Sequence, residues 1–419
     1  MDQAHSQHQQ TTPKALIIPR AQHNISRKNI DPDALKVLYR LHNHGFLAYL
    51  VGGSVRDLLL GRRPKDFDVG TDARPGQVHK LFRNSRVIGR RFRLVQVFFR
   101  GGKIIEVSTF RRAAEDEGDD VLPANNTFGS PAEDALRRDL TINALFYNIA
   151  DFSLVDYVGG LADLQAGLIR SVGDPDLRFH RDPVRVMRAV RHAARTGFTL
   201  TPETWAAIER RREELRLCPP SRVRDELLRD LGGGAAAAWL ELAHATGVLY
   251  TLLPTLRPLY GEEGSTLRAR ARTLLQRVDR LVQAGDKPDD AIILAVLLWP
   301  ALEQLSLEVE FPPGRAGRVR WTMFLREKLR ELAAPIQFSR RSLERACQVG
   351  AVMGFLRGDT SGVRLPKKVT EKGYFPDACR LAEILGRDLR SLLRPPPRKG
   401  RSRRRRRRRR KRPARSSPS

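Results

Sequence analysis

Two aspartates flank a phenylalanine in the stretch GRRPKDFDVG, residues 61–70. In an extended strand successive side chains alternate faces, so Asp66 and Asp68 project together while Phe67 and Val69 turn away. Paired carboxylates suit a hard divalent cation, Mg2+ or Mn2+, which takes oxygen ligands and shares them with substrate phosphates. Thirteen residues before Asp66, VGGSVRD places Gly52 and Gly53 at a turn entering a helix, with Arg56 in its first turn. Exposed backbone N–H groups there attract phosphate, and glycines allow it to approach closely. A two-metal phosphoryl or nucleotidyl transfer site needs a further carboxylate. Glu106, the lone acid among Ile104, Ile105 and Val107 in IIEVSTF, is the candidate, because burying it without a partner would be costly.

These residues need elements to hold them. Residues 1–22 are polar and unpatterned and read as a mobile arm. From Asp33, Leu35, Leu38 and Leu41 recur at helical spacing up to Gly45, and FLAYLV follows as a strand. KDFDVGT reads as the next strand and PGQVHKLF as a helix. FRLVQVFF and KIIEVSTF are two strands joined across RGGK as a hairpin. RRAAEDEGDDVLPANNTFGS reads as a surface loop, SPAEDALRRDLTINALFYNIAD as helical, LVDYVGGLADLQAGLIRSVG as a turn-rich connection, and DPVRVMRAVRHAARTG as a strong helix. From there to about residue 390 the patterns are helical. The expected architecture is an α/β head with a mixed sheet (23–150), helical segments over 151–260 and 261–393, and a disordered basic tail (394–419).

The chain has 419 residues, and 76 Lys and Arg against 47 Asp and Glu leave a formal charge of +29. Such an excess implies a polyanionic partner. Residues 394–415 hold fifteen Lys or Arg and no acid, about half of the excess. Cys218, Cys347 and Cys379 lack metal-ligand spacing and read as reduced thiols. The N-terminal residues contain no apolar stretch of signal length, and AIILAVLLWP is about half a membrane span. A soluble cytoplasmic protein is expected.

LVGGSVRDLLLGRRPKDFDVGT, RRDLTINALFYNIAD and DPVRVMRAVRHAAR together resemble the class II nucleotidyltransferases, the family of bacterial poly(A) polymerases and CCA-adding tRNA nucleotidyltransferases. The three motifs span roughly residues 20–200 in the family's order. The resemblance implies a polymerase β type head followed by helical neck, body and tail domains. It implies that Asp66 and Asp68 bind the catalytic metal, with Gly53 and Arg56 near the triphosphate. Arg138, Asp139 and Asn143 fit the motif that positions the incoming nucleotide. Helical spacing would put Asp139 and Asn143 on one face, and either Glu106 or Asp139 would complete the carboxylate set.

Asp182, Arg185 and Arg188 share a helical face, extended by Arg191, and by resemblance this face meets the base and phosphates of the nucleotide. The family usually carries Glu where this chain has Arg181. RAQHNISRKNI and VIGRRFRLVQVFF resemble the poly(A) polymerase branch more than the CCA-adding one. The implied activity is addition of AMP from ATP to RNA 3′ ends, in mRNA polyadenylation and RNA decay. RNA-decay machinery or RNA chaperones are the implied partners. A CCA-adding enzyme is the alternative, and a non-catalytic RNA-binding protein is the reading from another class.

Overall fold

The computed structural model describes residues 14–89, 94–112, 127–358 and 363–393. The sequence readings for residues 1–13, the 90–93 stretch, the 113–126 loop and the 394–419 tail lie outside these described residues.

Eight short strands make one mixed sheet: β1 (Leu16–Ile18), β2 (Ala48–Val51), β3 (Asp68–Thr71), β4 (Ser85–Ile88), β5 (Leu94–Phe98), β6 (Ile104–Thr109), β7 (Leu145–Asn148) and β8 (Leu154–Asp156), in the order β1-β8-β7-β2-β3-β6-β5-β4. Every neighbouring pair is antiparallel except β3 and β6, which run parallel and bring Asp68 level with Glu106. The expected hairpin is present as β5 and β6. A 3-10 turn over Arg100–Gly102 joins them, with Gly101 and Gly102 at positive φ.

Helix α1 (Pro32–Asn43) starts where the Asp31 carboxylate accepts the Asp33 and Ala34 N–H groups, and it buries Ala34, Val37, Leu38 and Leu41. Helices α2 (Gly53–Leu59) and α3 (Pro75–Leu81) follow β2 and β3.

Three expectations need correction. Residues 130–151 are not one helix: α4 (Pro131–Leu136) stops at Arg137, a 3-10 turn spans Thr141–Asn143, and β7 begins at Leu145. The run Leu145, Phe146, Tyr147 favours extended backbone, and all three side chains are buried, as are Thr141 and Ile142 of the turn before them. The N-terminal segment is not wholly an arm, because Leu16–Ile18 pairs with β8. That pairing also carries the sheet past residue 150, since β8 draws on 154–156. Finally, β3 begins at Asp68, so Asp66 stands in the approach to the strand and not within it.

Beyond the sheet the described chain is mainly helical, save for a short parallel pairing of Leu168–Ile169 with Thr199–Leu200: α5 (Gly160–Ala166), α6 (Pro175–Arg181), α7 (Val184–Thr196), α8 (Pro202–Arg211), α9 (Pro220–Leu231), α10 (Ala236–Ala245) and a bundle running to residue 393. The apolar run 290–305 is the bundle's central helix, with every side chain from Ala291 to Leu302 buried. Asp290–Glu308 is apolar and long enough to cross a membrane, but 72% of its apolar window is buried inside the protein. The three cysteines are free.

Helix α5 packs directly on the turn that follows α4. A Cβ on Gly160 would stand 2.1 Å from the Thr141 carbonyl oxygen, closer than any contact backbone can tolerate. Gly160→Ala should therefore destabilise the head by about 1–3 kcal/mol, the usual range for overpacking. Thermal unfolding checks this, and an unchanged Tm would disprove the tight approach.

Candidate active site

The twelve residues singled out from the sequence, Gly52, Gly53, Arg56, Asp66, Asp68, Glu106, Arg138, Asp139, Asn143, Asp182, Arg185 and Arg188, all line one cavity of about 510 Å3. Its two walls differ in charge. The sheet wall carries Asp66, Asp68 and Glu106. Directly paired residues of adjacent strands share a face, so the β3–β6 register sets the Asp68 and Glu106 side chains side by side. Gln96, opposite Glu106 on β5, donates Nε2–H to its Oε1 at 3.0 Å. Among the described residues, none of these three acids forms an ion pair. Asp68 is reached by water yet recessed in the cleft. Crowding by the surrounding protein, reinforced by Glu106 and Asp66 and opposed by Arg138, pushes its carboxyl up to about 6.

Above the sheet wall, the chain turns from β2 into α2 through Gly52, whose φ of +72° favours glycine. A Cβ there would lie 3.2 Å from Arg138 Nη1, so the turn and that guanidinium are close neighbours. Arg56 is buried, ion-pairs with Asp57 at 2.7 Å, and donates from Nη1 to Asn143 Oδ1 at 2.7 Å.

The opposite wall comes from the turn after α4 and from α7. Arg138 is held by the buried Asp134, at 2.9 Å, and lies over the Phe146 ring. Arg188 Nε donates to Asp139 Oδ2 at 2.7 Å. Burial alone would raise the Asp139 carboxyl, but the charges of Arg188 and Arg185 hold it well below the usual carboxylate range. Asp139 and Asn143 meet because the 3-10 turn folds them together, with Asn143 Nδ2 3.5 Å from Asp139 Oδ1. Arg185 spends its fork on the carbonyls of Arg138 and Arg137, each at 3.0 Å, and Arg178 also donates to the Arg138 carbonyl at 2.7 Å. Two guanidiniums from the helical region thus clamp the turn that bears Arg138 and Asp139. Asp182 pairs with Arg222 at 2.9 Å.

Arg191 does not extend the α7 row. It is buried on the other side of the helix and ion-paired with Glu226 and Asp230 of α9. The row instead continues through His192 and Arg195, which line the cavity. Counting 3.6 residues per turn from Arg188 would have led to them. His192 Nδ1 stands 3.2 Å from Arg56 Nη1, and its Nε2 stands 3.3 Å from Asn143 Nδ2. Burial and the charge of Arg56 lower its pKa well below the ordinary value, so the ring is neutral. Lys65, Ser108 and Arg137 complete the lining and carried no separate signal in the sequence. Arg181 ends α6 and is not part of the cavity wall.

A mixed-sheet head followed by helical domains is the fold of the class II nucleotidyltransferases. The crystal structure of the Bacillus stearothermophilus CCA-adding enzyme in complex with CTP superposes with a TM-score of 0.59, covering 85% of this chain and 83% of that one at 24% identity. Residues 48–170 match the poly A polymerase head domain, and residues 197–259 match the probable RNA and SrmB-binding site of polymerase A. The poly(A) polymerase I of Salmonella typhi is 42% identical over 340 residues, 78% of this chain and 73% of that protein. The CCA-adding enzyme of Bacillus pumilus is 40% identical over 224 residues, 53% of this chain and 55% of that enzyme. The chain belongs to the bacterial poly(A) polymerase family, and it is a nucleotidyltransferase.

The raised Asp68 pKa has a consequence for stability. An acid whose folded pKa lies above its unfolded value favours the fold at low pH and loses that contribution as pH rises through about 6. Asp68→Asn should therefore raise Tm at pH 8 in EDTA by clearly more than it does at pH 4.5. Magnesium should restore the wild type's Tm at pH 8 and leave the variant unmoved. Equal Tm values for both proteins at pH 8 in EDTA would refute the electrostatic crowding.

Proposed function

We propose that this cavity binds ATP and an RNA 3′ end and transfers AMP, using Asp66, Asp68 and Glu106 as the carboxylate wall. One observation carries this reading: three acids that form no ion pair among the described residues face a wall of arginines across a space large enough for a nucleotide. The donor set is all carboxylate oxygen, which suits Mg2+ or Mn2+. Among the described residues no group of three or more His, Cys, Asp or Glu could hold a metal alone. That fits a cation sharing its ligands with phosphates and water. A divalent cation bound there would polarise the α-phosphate and neutralise charge on the departing pyrophosphate.

The protein's own groups place the reactants. The Gly52–Gly53 turn offers backbone N–H groups to the triphosphate, with Arg138 beside it. Asn143 and Asp139 face the sugar, each fixed by a cation from another element, Arg56 and Arg188. Arg185, through its hold on the 137–138 carbonyls, keeps that turn in position, and Asp182 and Arg188 border the space left for the base. The RNA 3′ oxygen then forms a bond to the α-phosphorus as the bond to the β-phosphate bridge breaks and pyrophosphate leaves. The helical region carries the RNA. Such an enzyme works in the cytoplasm, alongside the RNA-decay machinery or RNA chaperones that would supply its substrates.

Incubating the protein with a generic 3′-hydroxyl RNA and each NTP separately tests this directly. Long tails from ATP alone support the proposal, whereas a stop after CCA on a tRNA lacking its end would select the CCA-adding reading. Asp66→Ala should lower extension by several orders of magnitude while RNA binding survives. Retention of more than about a tenth of wild-type activity would remove Asp66 from the metal site. Glu106→Gln should depress kcat with little change in Tm, and an unchanged kcat would return Glu106 to a passive place on the sheet.

Truncation after residue 393 removes a segment with fifteen Lys or Arg and no acid. It should weaken RNA binding and flatten its salt dependence, since fewer counterions are released. At saturating RNA, kcat should stay near the full-length value. A collapsed kcat with RNA affinity intact would show that the tail belongs to the chemistry.

A further inference from the structure

A second cavity, of about 400 Å3, opens behind the Asp66–Asp68 segment. Phe67 points into it, between the two aspartates in sequence but away from the first cavity. Its floor is apolar, made by Ile30, Leu58 and Phe67, each less than a tenth exposed. Lys28, Asn29, Arg62 and Arg63 form an exposed rim. Among the described residues, neither Lys28 nor Arg63 has an ion pair or a side-chain hydrogen bond. The one acid in the lining, Asp31, is already engaged: it caps α1 and ion-pairs with Lys103.

The rim is built and not incidental. It comes from HNISRKNI, a motif that the catalytic cavity leaves unused. The Ser26 hydroxyl accepts the Lys28 N–H at 3.3 Å and caps a 3-10 turn over Arg27–Asn29. Ile30 is then driven into the core, and Asp31 starts α1. Lys28 and Asn29 are left standing at the mouth. On the other side, Arg62 Nη1 reaches the Arg195 carbonyl at 3.5 Å, and Arg195 lines the first cavity. Arg62 therefore joins the rim of the second cavity to the backbone of Arg195, a residue of the first cavity's wall.

An aromatic and aliphatic floor under a cationic rim is the chemistry of single-stranded nucleic acid: bases stack on the floor, and phosphates meet the rim. We propose that this second cavity is a subsite for a nucleotide of the RNA strand upstream of its 3′ end. The base lies on Ile30, Leu58 and Phe67, and the phosphates lie on Lys28, Arg62 and Arg63. The inference rests on the RNA-extending reading above. The contact from Arg62 on this rim to Arg195 on the wall of the first cavity favours a strand, which can span both cavities, over a free nucleotide, which would need only one of them.

The test pairs the Lys28→Ala/Arg63→Ala double variant with photocrosslinking of the wild type. Both residues are exposed and unpartnered, so the variant should keep the wild-type Tm. Its RNA Kd, measured without ATP, should rise roughly tenfold with the loss of two charge-assisted phosphate contacts. The slope of log affinity against log salt should flatten by about 1.4, at about 0.7 per single-strand phosphate. The KM for ATP should stay unchanged. RNA carrying 4-thiouridine a few nucleotides from its 3′ end should crosslink to peptides containing residues 28–32 or 61–67. Unchanged RNA affinity and salt slope would overturn the proposal, as would an increase in the KM for ATP matching that for RNA, which would assign the cavity to a free nucleotide. Binding and crosslinking are read without catalysis. A wild type that binds and crosslinks here but incorporates no AMP therefore refutes the adenylation reading and leaves the subsite standing.

Discussion

The 2.7 Å contact between Arg188 of α7 and Asp139 of the turn after α4 joins the head to its helical continuation in the wall of the candidate cavity. The remaining geometry follows from it. Arg185 and Arg178 reach across from the same side to the carbonyls of residues 137 and 138, so the turn is held by side chain and backbone together. A buried ion pair contributes little net stability, because desolvation offsets its attraction. Its value here lies in register: it selects one placement of α7 over the sheet, the one in which arginines face carboxylates.

The charges that are not neutralised matter as much as those that are. Asp57, Asp139 and Asp182 each have a cationic partner in or beside the cavity. Among the described residues Asp66, Asp68 and Glu106 have none, and burial, reinforced by Glu106 and Asp66, pushes Asp68 up to about 6. A protein that keeps acids in this condition sacrifices stability that a bound cation would return. The second cavity shows the converse arrangement, with exposed cations over an apolar floor and their one local acid already engaged. Both cavities border the segment 61–68: Lys65, Asp66 and Asp68 line the first, and Gly61, Arg62, Arg63 and Phe67 line the second.

Local readings went astray where a stretch carried two competing patterns. RRDLTINALFYNIAD has the charge and leucine spacing of a helix, yet Leu145, Phe146 and Tyr147 prefer extended backbone. An unoccupied edge of β2 was available to pair with them. Leu16–Ile18 is too short to signal a strand unaided, and becomes one only because β8 offers an edge. Arg191 is indistinguishable from its neighbours in the motif. Its burial against Glu226 and Asp230 is decided by α9, more than thirty residues later.

By itself the sequence determined the chemistry's components. Paired carboxylates around Phe67, the Gly52–Gly53 turn, the lone Glu106 and the arginine-bearing motif are local patterns, and backbone periodicity dictates which of their side chains share a face. It also determined the partner's sign, since a formal charge of +29 needs no fold to attract a polyanion. Tertiary structure decided which components meet. The parallel pairing of β3 with β6 set Asp68 beside Glu106 across 37 intervening residues, and the packing of α7 on the head admitted His192 and Arg195 to the cavity while turning Arg191 away. Contacts of that range depend on how buried surfaces fit together, and no local pattern of side chains encodes that fit.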